Sequence, residues 1–256
     1  MKRLVLMLAA TVAVIAPSAV WADSQFRLLV LAMPSKYHYE YIPIAHDSLT
    51  RIASQHSFDI TWSNTAAPLE QDLHPYAAIL LLNTPVEELT AAQRAGFEAY
   101  MRAGGNVVIV HRAAIDLPAS SWLWYEKLVG RTIATHPMLQ TGVVTVVDKG
   151  FPAAYGIPDR WVWSDEFYPL TNPYNIDITP VLNVDETSYD PTKIWPGQVA
   201  KGMGKDHPAA WFHNYEKGRV FVTTLGHNGE DYRDPQYLGH LLGGIYWAAT
   251  GLGQTH

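Results

Sequence analysis

Three short apolar runs constrain this chain more than any other feature. They read FRLLVLAM at residues 26–33, AAILLL at 77–82 and NVVIV at 106–110. Each lacks polar alternation, the pattern of a strand buried on both faces. Between the first two, Tyr41, Ile44, Ala45, Leu49 and Ile52 recur at helical spacing. That predicts a helix over 40–55, with Pro43 tolerated in its first turn. A short strand is predicted at 58–62. Thr90 followed by Gln93 has the form of a capping box. It opens a predicted helix that stops at Gly104-Gly105. The resulting order, β-α-β-β-α-β, predicts a parallel sheet with helices on both faces.

The second half is less regular. A short helix is predicted at 122–129 and a strand at 142–147. Strands separated by long loops are expected over 152–189. Residues 209–215 and 219–225 flank Glu216-Lys217-Gly218, a hairpin signal. The chain closes on a predicted helix at 235–250, with Leu238, Leu241, Leu242, Ile245 and Ala249 on one face. With no repeat or linker in view, residues 23–256 read as one α/β domain with β-rich additions.

Residues 1–22 set the expected compartment. Lys2 and Arg3 precede an apolar run over 4–16, and Val20-Trp21-Ala22 ends on a small residue. This is the pattern of a secretory signal cleaved after Ala22. Its apolar core is shorter than the ~20 residues that span a bilayer. The expected location is therefore the periplasm or the exterior, with no stable membrane insertion after cleavage. The chain has no Cys, which excludes disulfides, thiolate nucleophiles and a lipid-modified Cys anchor. Eighteen basic residues face 24 acidic ones, and loss of Lys2 and Arg3 makes the balance more negative. Such a surface disfavours nucleic acid. Nine Trp, fourteen Tyr and eleven His suit a pocket for a neutral polar ligand such as a small carbohydrate.

Ligands of open parallel sheets bind outside the carboxyl ends of the strands. That rule selects His38 after the first strand, His111 directly after NVVIV, and His227 after RVFVTTLG. Asp116 follows His111 by five residues. Asp165-Glu166-Phe167-Tyr168 brings adjacent carboxylates into an aromatic stretch. Within a strand the two would point to opposite faces, so one at most should face the pocket. An aromatic surround would raise a carboxyl pKa and suit a general acid or base. His213, in an alternating strand pattern, and His136 are further pocket candidates. His38, His111, His227 and Glu166 have the ligand types of a divalent metal site, although no contiguous metal motif is present. No glycine-rich phosphate loop follows the first strand, and there is no Gly-x-Ser-x-Gly elbow.

Together, RAGGNVVIVH (102–111), WYEKLVG (124–130), THP (135–137), DEFY (165–168), HPAAW (207–211), GRVFV (218–222) and LGH (225–227) resemble the ThuA-like family, named for trehalose utilisation. The resemblance spans residues 26–251. It implies a class I glutamine amidotransferase-like fold, a flavodoxin-like parallel sheet flanked by helices with β additions. Amidotransferases of that fold carry a Cys where this chain has His111, so their thiol chemistry is excluded here. Relatives commonly read His-Gly-Ala at His111-Arg112-Ala113, and the bulkier Arg112 is expected to narrow the pocket or pair with Asp116. The family setting implies sugar metabolism, including disaccharides and their 3-keto derivatives. The implied chemistry is acid/base cleavage, with or without a divalent ion. His111 and His227 are then expected as base, electrophile or metal ligands, and Glu166 as acid. His38, Asp165, Tyr168, Asp116, His136 and His213 would contact substrate. Two other readings stay open: a non-catalytic glycan-binding module, and a metal-dependent amide hydrolase. An enzyme should bring His111, His227 and one of Asp165 or Glu166 within reach of one substrate.

Overall fold

A computed structural model describes residues 23–115 and 122–255. Residues 1–22 and Asp116 therefore lie outside the described residues. The three apolar runs form β1 (Arg27–Leu31), β3 (Ala78–Leu82) and β4 (Val107–Val110). Between them lie α1 (Tyr41–Gln55), β2 (Asp59–Ser63) and α2 (Ala91–Arg102). Next come α3 (Leu123–Val129), β5 (Thr132–Ile133), β6 (Gln140–Val146), β7 (Arg160–Asp165), β8 (Leu170–Thr171) and β9 (Thr179–Asp185). The hairpin β10 (Pro208–Tyr215) and β11 (Gly218–Thr223) precedes α4 (Pro235–Thr250).

Nine strands make one mixed sheet in the order β2-β1-β3-β4-β11-β10-β9-β6-β7. The first five pair in parallel and the last four extend the sheet antiparallel. β5 and β8 form a separate two-stranded ribbon. The predicted parallel sheet with β-rich additions is thus the observed architecture.

Side-chain alternation explains why the central runs are apolar throughout. Leu28, Val30, Leu80, Leu82, Val108 and Val110 point to the face covered by α1 and α4. Leu29, Leu31, Ile79, Leu81, Val107 and Ile109 point to the opposite core, covered by α2 and α3. Either face exposed would forfeit about 25 cal/mol per Å² of apolar area. Thr90 caps α2 as expected: its hydroxyl accepts the Gln93 N–H while the Gln93 side chain accepts the Thr90 N–H. Among the described residues no helix is long and apolar enough to cross a membrane.

His240 shows how the α4 core is tied to the sheet. Its Nδ1 donates to the Ala153 carbonyl at 2.7 Å, and its Nε2 lies 3.0 Å from the Thr223 hydroxyl. Burial, only partly opposed by the Ala153 hydrogen bond, lowers its pKa to about 4. The native state keeps this ring neutral, whereas the unfolded ring titrates near 6.5. Its contribution is complete above pH 6.5 and is lost as pH falls toward 4. Urea unfolding at pH 7 and pH 5 checks this. The His240→Asn variant, which retains a donor to Ala153, is expected to lose about 2 kcal/mol less stability between the two pH values than the parent.

Candidate functional site

The site forms where β4 and β11 end side by side. Thr223 pairs with Val110, so the next residues of both strands emerge at the same edge. His111 follows β4 directly and adopts φ 45°, in the left-handed region that favours glycine. This is a sharp elbow, and its cost is offset by specific bonds. His111 Nδ1 donates to the Thr224 carbonyl at 2.7 Å. The Arg112 N–H donates to Asn83 Oδ1 at 3.2 Å. After β11, Gly226 adopts φ 109°, and a Cβ there would lie 2.0 Å from the Tyr237 hydroxyl oxygen. Only glycine fits, and it turns the chain so that His227 faces His111.

Three imidazoles meet at this edge. The rings of His38, His111 and His227 stand 5.1 Å apart, centroid to centroid, in each of the three pairs. Their ligand nitrogens lie within 4.8 Å of one another. His227 Nδ1 is 3.2 Å from His111 Nε2. Glu166 Oε2 completes the cluster, 3.4 Å from His227 Nδ1 and 3.7 Å from His111 Nε2. The Tyr168 hydroxyl donates to Glu166 and lies 3.4 Å from His136 Nε2. His136 Nε2 is also 3.8 Å from Glu166 Oε2, at the more open side of the pocket.

Both carboxylates of the Asp165-Glu166 pair reach the cluster, contrary to the alternation argument. β7 ends at Asp165, so strand geometry no longer governs Glu166. The two have different tasks. Asp165 is fully buried and accepts three N–H groups, from Gly226 (2.7 Å), Glu166 (2.8 Å) and the Trp163 indole (3.0 Å). Burial outweighs those hydrogen bonds and raises its pKa to about 6. Glu166, expected as an acid, departs in the other direction. Burial pushes it up, but His227, His111 and the Tyr168 hydroxyl prevail and hold it at about 2. It is an ionised carboxylate, not a proton donor at rest.

The imidazoles also differ. Burial, with His111 and His227 nearby, lowers His38 to about 3. Burial and neighbouring His227 lower His111 to about 4, against the pull of Glu166. His227 is buried less deeply; burial lowers it, but the hydrogen bond and charge of Glu166 win and raise it.

Two expected site residues fall elsewhere or outside. His213 is buried on β10, opposite Val220, which pairs with Val107 at the start of β4. β10 runs antiparallel, so its later residues lie at the far end of the sheet from His111. Asp116 lies outside the described residues; Arg112 pairs with Glu87. Asn83 is the residue that sequence reasoning missed. It ends β3 just as His111 ends β4, so the strand-end rule could have found it. Its amide donates to the Gly226 carbonyl (3.3 Å) and to the Tyr232 hydroxyl (3.0 Å), while its oxygen holds the Arg112 N–H. One carboxamide therefore joins the two histidine-bearing turns.

Loops wall the pocket. Trp195, half exposed, meets the His136 ring edge-on at 5.3 Å. The Trp195 N–H donates to the His136 carbonyl, and a bridge between Pro137 and Ile194 ties the two segments together. Tyr37 and Tyr39 are exposed on the loop that carries His38. A groove lined by Leu69, Tyr76 and Tyr100 opens near Asn106, at the opposite end of the sheet, and contains none of the clustered groups.

Removing the bridging carboxamide should show its worth. Asn83→Ala leaves the Arg112 N–H and the Gly226 carbonyl buried without this partner, and puts alanine at φ 50°. A loss of about 2–4 kcal/mol is expected in urea unfolding. A loss below about 1 kcal/mol would show that the two turns hold each other without it.

Comparison with known proteins agrees with this fold. A ThuA-like protein from Bacteroides uniformis superposes with a TM-score of 0.75 at 22% identity, over 91% of this chain and 95% of that one. A ThuA-like protein from Parabacteroides merdae gives 0.69 at 20% identity, over 90% and 92%. A β-galactosidase from Rahnella shares the fold over 85% of this chain but only 31% of its own length, with a TM-score of 0.56 and 14% identity. No match was found among curated proteins. The sequence profile of ThuA, described as trehalose utilisation, matches residues 27–248, and the chain belongs to this carbohydrate-utilisation family.

Proposed function

We propose that the chain is an exported enzyme that cleaves 3-keto glycosides by proton transfer. The observation that carries this reading is the convergence of three imidazoles and the Glu166 carboxylate at one sheet edge. The family's link to carbohydrate utilisation and the exposed aromatic side chains beside the pocket support a sugar ligand. The character of residues 1–22 supports export to the periplasm or beyond.

In a 3-keto glycoside the carbonyl acidifies the proton on C2. Glu166 Oε2 is the group placed to take that proton, with the Tyr168 hydroxyl orienting it. The C–H electron pair moves into the C2–C3 bond and negative charge passes to the carbonyl oxygen. Of the three imidazoles, His227, whose pKa Glu166 raises, is the one able to carry a proton toward this charge. When the carbonyl re-forms, the pair shifts to C1–C2 and the C1–oxygen bond breaks. Glu166, now carrying the C2 proton, can return it to the departing oxygen, while His136, its Nδ1–H held by the Pro137 carbonyl, lines the open side of the site. Addition of water across C1–C2 then gives the free 3-keto sugar. No electrons are gained or lost overall, so the sequence is a hydrolysis. Trp195 beside His136 offers a stacking face for the leaving sugar.

The test is product release from a 3-keto disaccharide by the purified chain. Glu166→Gln is expected to lower kcat by at least about 100-fold, the usual contribution of a proton-transfer group. Trp195→Ala is expected to raise KM with little change in kcat, because stacking is felt before and during the reaction alike. Absence of product from keto and ordinary glycosides, with glycan binding retained, would replace this reading with that of a binding module. The export reading predicts that protein recovered from the cell envelope begins at Asp23.

A further inference from the structure

We infer that His38, His111 and His227 hold a divalent transition-metal ion, with Glu166 facing its open side. The inference concerns the same pocket, but it does not rest on the proposed substrate.

The argument begins with hydrogen positions. A neutral imidazole has one N–H and one lone pair. His111 donates its Nδ1–H to the Thr224 carbonyl, so its Nε2 presents a lone pair to His227. His38 is 7% exposed, and its Nδ1 is buried with no hydrogen-bond partner. The cluster thus holds a fixed acceptor, met by His227 Nδ1, and His38 adds a buried nitrogen without a partner. Leaving that nitrogen unpaired costs free energy that a bound cation would recover. Fixing one ring nitrogen on a backbone carbonyl is also how proteins orient a ligating histidine.

Distances fit a small ion. Metal–nitrogen bonds of ~2.0–2.1 Å at tetrahedral angles place ligand nitrogens ~3.3 Å apart. The His111–His227 nitrogens stand 3.2 Å apart, and all three ligand atoms lie within 4.8 Å. A modest inward shift of the least close ring would complete the three-nitrogen face. Glu166 Oε2, 3.4 and 3.7 Å from the two paired nitrogens, brings a negative charge to that face. Three imidazoles favour zinc or a late first-row ion over magnesium or calcium, which prefer oxygen ligands. Three protein ligands leave a position for an oxygen of water or substrate, the arrangement of catalytic rather than structural sites. The bound ion would supply the fixed positive charge that the three-imidazole wall needs in order to face an enolate.

The test measures metal directly. Full-length mature protein is stripped with chelator, then titrated with Zn2+ and with Co2+ by calorimetry. One equivalent is expected to bind. His38→Ala and His227→Ala are expected to weaken binding at least 100-fold. His74→Ala, which alters an exposed ring remote from the site, should leave it unchanged. Circular dichroism checks the fold of each variant. If a variant fails to fold, side-chain nitrogen spectra of the parent decide: Zn2+ should perturb three of its eleven histidines. No stoichiometric binding of either ion, undiminished binding in both folded variants, or perturbation of a different set of rings would overturn the inference. Metal binding without turnover of keto sugars would retain the ion and discard the substrate. Turnover of keto sugars by a chain that binds neither ion would do the reverse.

Discussion

The site depends on holding two sharp turns against each other in a region from which water is excluded. The turn after β4 and the turn after β11 both expose backbone groups that regular strand pairing would have satisfied. Two buried side chains resolve this. Asn83 links the Arg112 N–H to the Gly226 carbonyl, and Asp165 accepts the Gly226 N–H. The left-handed elbow at His111 and the glycine-only turn at Gly226 persist because these bonds over-determine them. Imidazoles carried on such turns keep their orientation before any ligand arrives, which lowers the reorganisation that binding or chemistry must supply.

Much of the fold was legible because the central strands are buried on both faces. A continuous apolar run has one comfortable place in an α/β protein, and the helices between runs announced themselves by spacing and by the Thr90 cap. The strand-end rule then selected His38, His111 and His227 correctly as neighbours. It failed where the predicted hairpin was not carried through to strand direction, and where strand length was not legible. His213 was misplaced because the direction of β10 sends its later residues to the far edge. The two carboxylates were separated on paper because nothing in the sequence marks β7 as ending at Asp165. Asn83 satisfied the rule but lacked a titratable group to attract notice. The Thr224 carbonyl could not have been found at all, since a backbone acceptor leaves no trace in the identity of its residue.

The elbow after the fourth strand also shows how one architecture accommodates different chemistries. With no Cys anywhere in the chain, the strained position after β4 carries an imidazole and not a thiol. A thiol presents one soft nucleophilic atom. An imidazole anchored through Nδ1 presents one directed lone pair and a rigid ring. The same backbone strain could therefore aim either kind of group, depending on the side chain it carries.

The bond from His111 to the Thr224 carbonyl closes a stretch of 113 residues, because β4 finds its second parallel partner, β11, only after the antiparallel extension has been laid down. Contacts of such sequence separation carry the largest chain-closure cost and tend to form late. A nascent or partly collapsed chain can bury its first four strands and both flanking helices while still lacking any assembled reaction centre. The site thus acts as a certificate of finished folding: His111 and His227 meet only when the last hairpin docks.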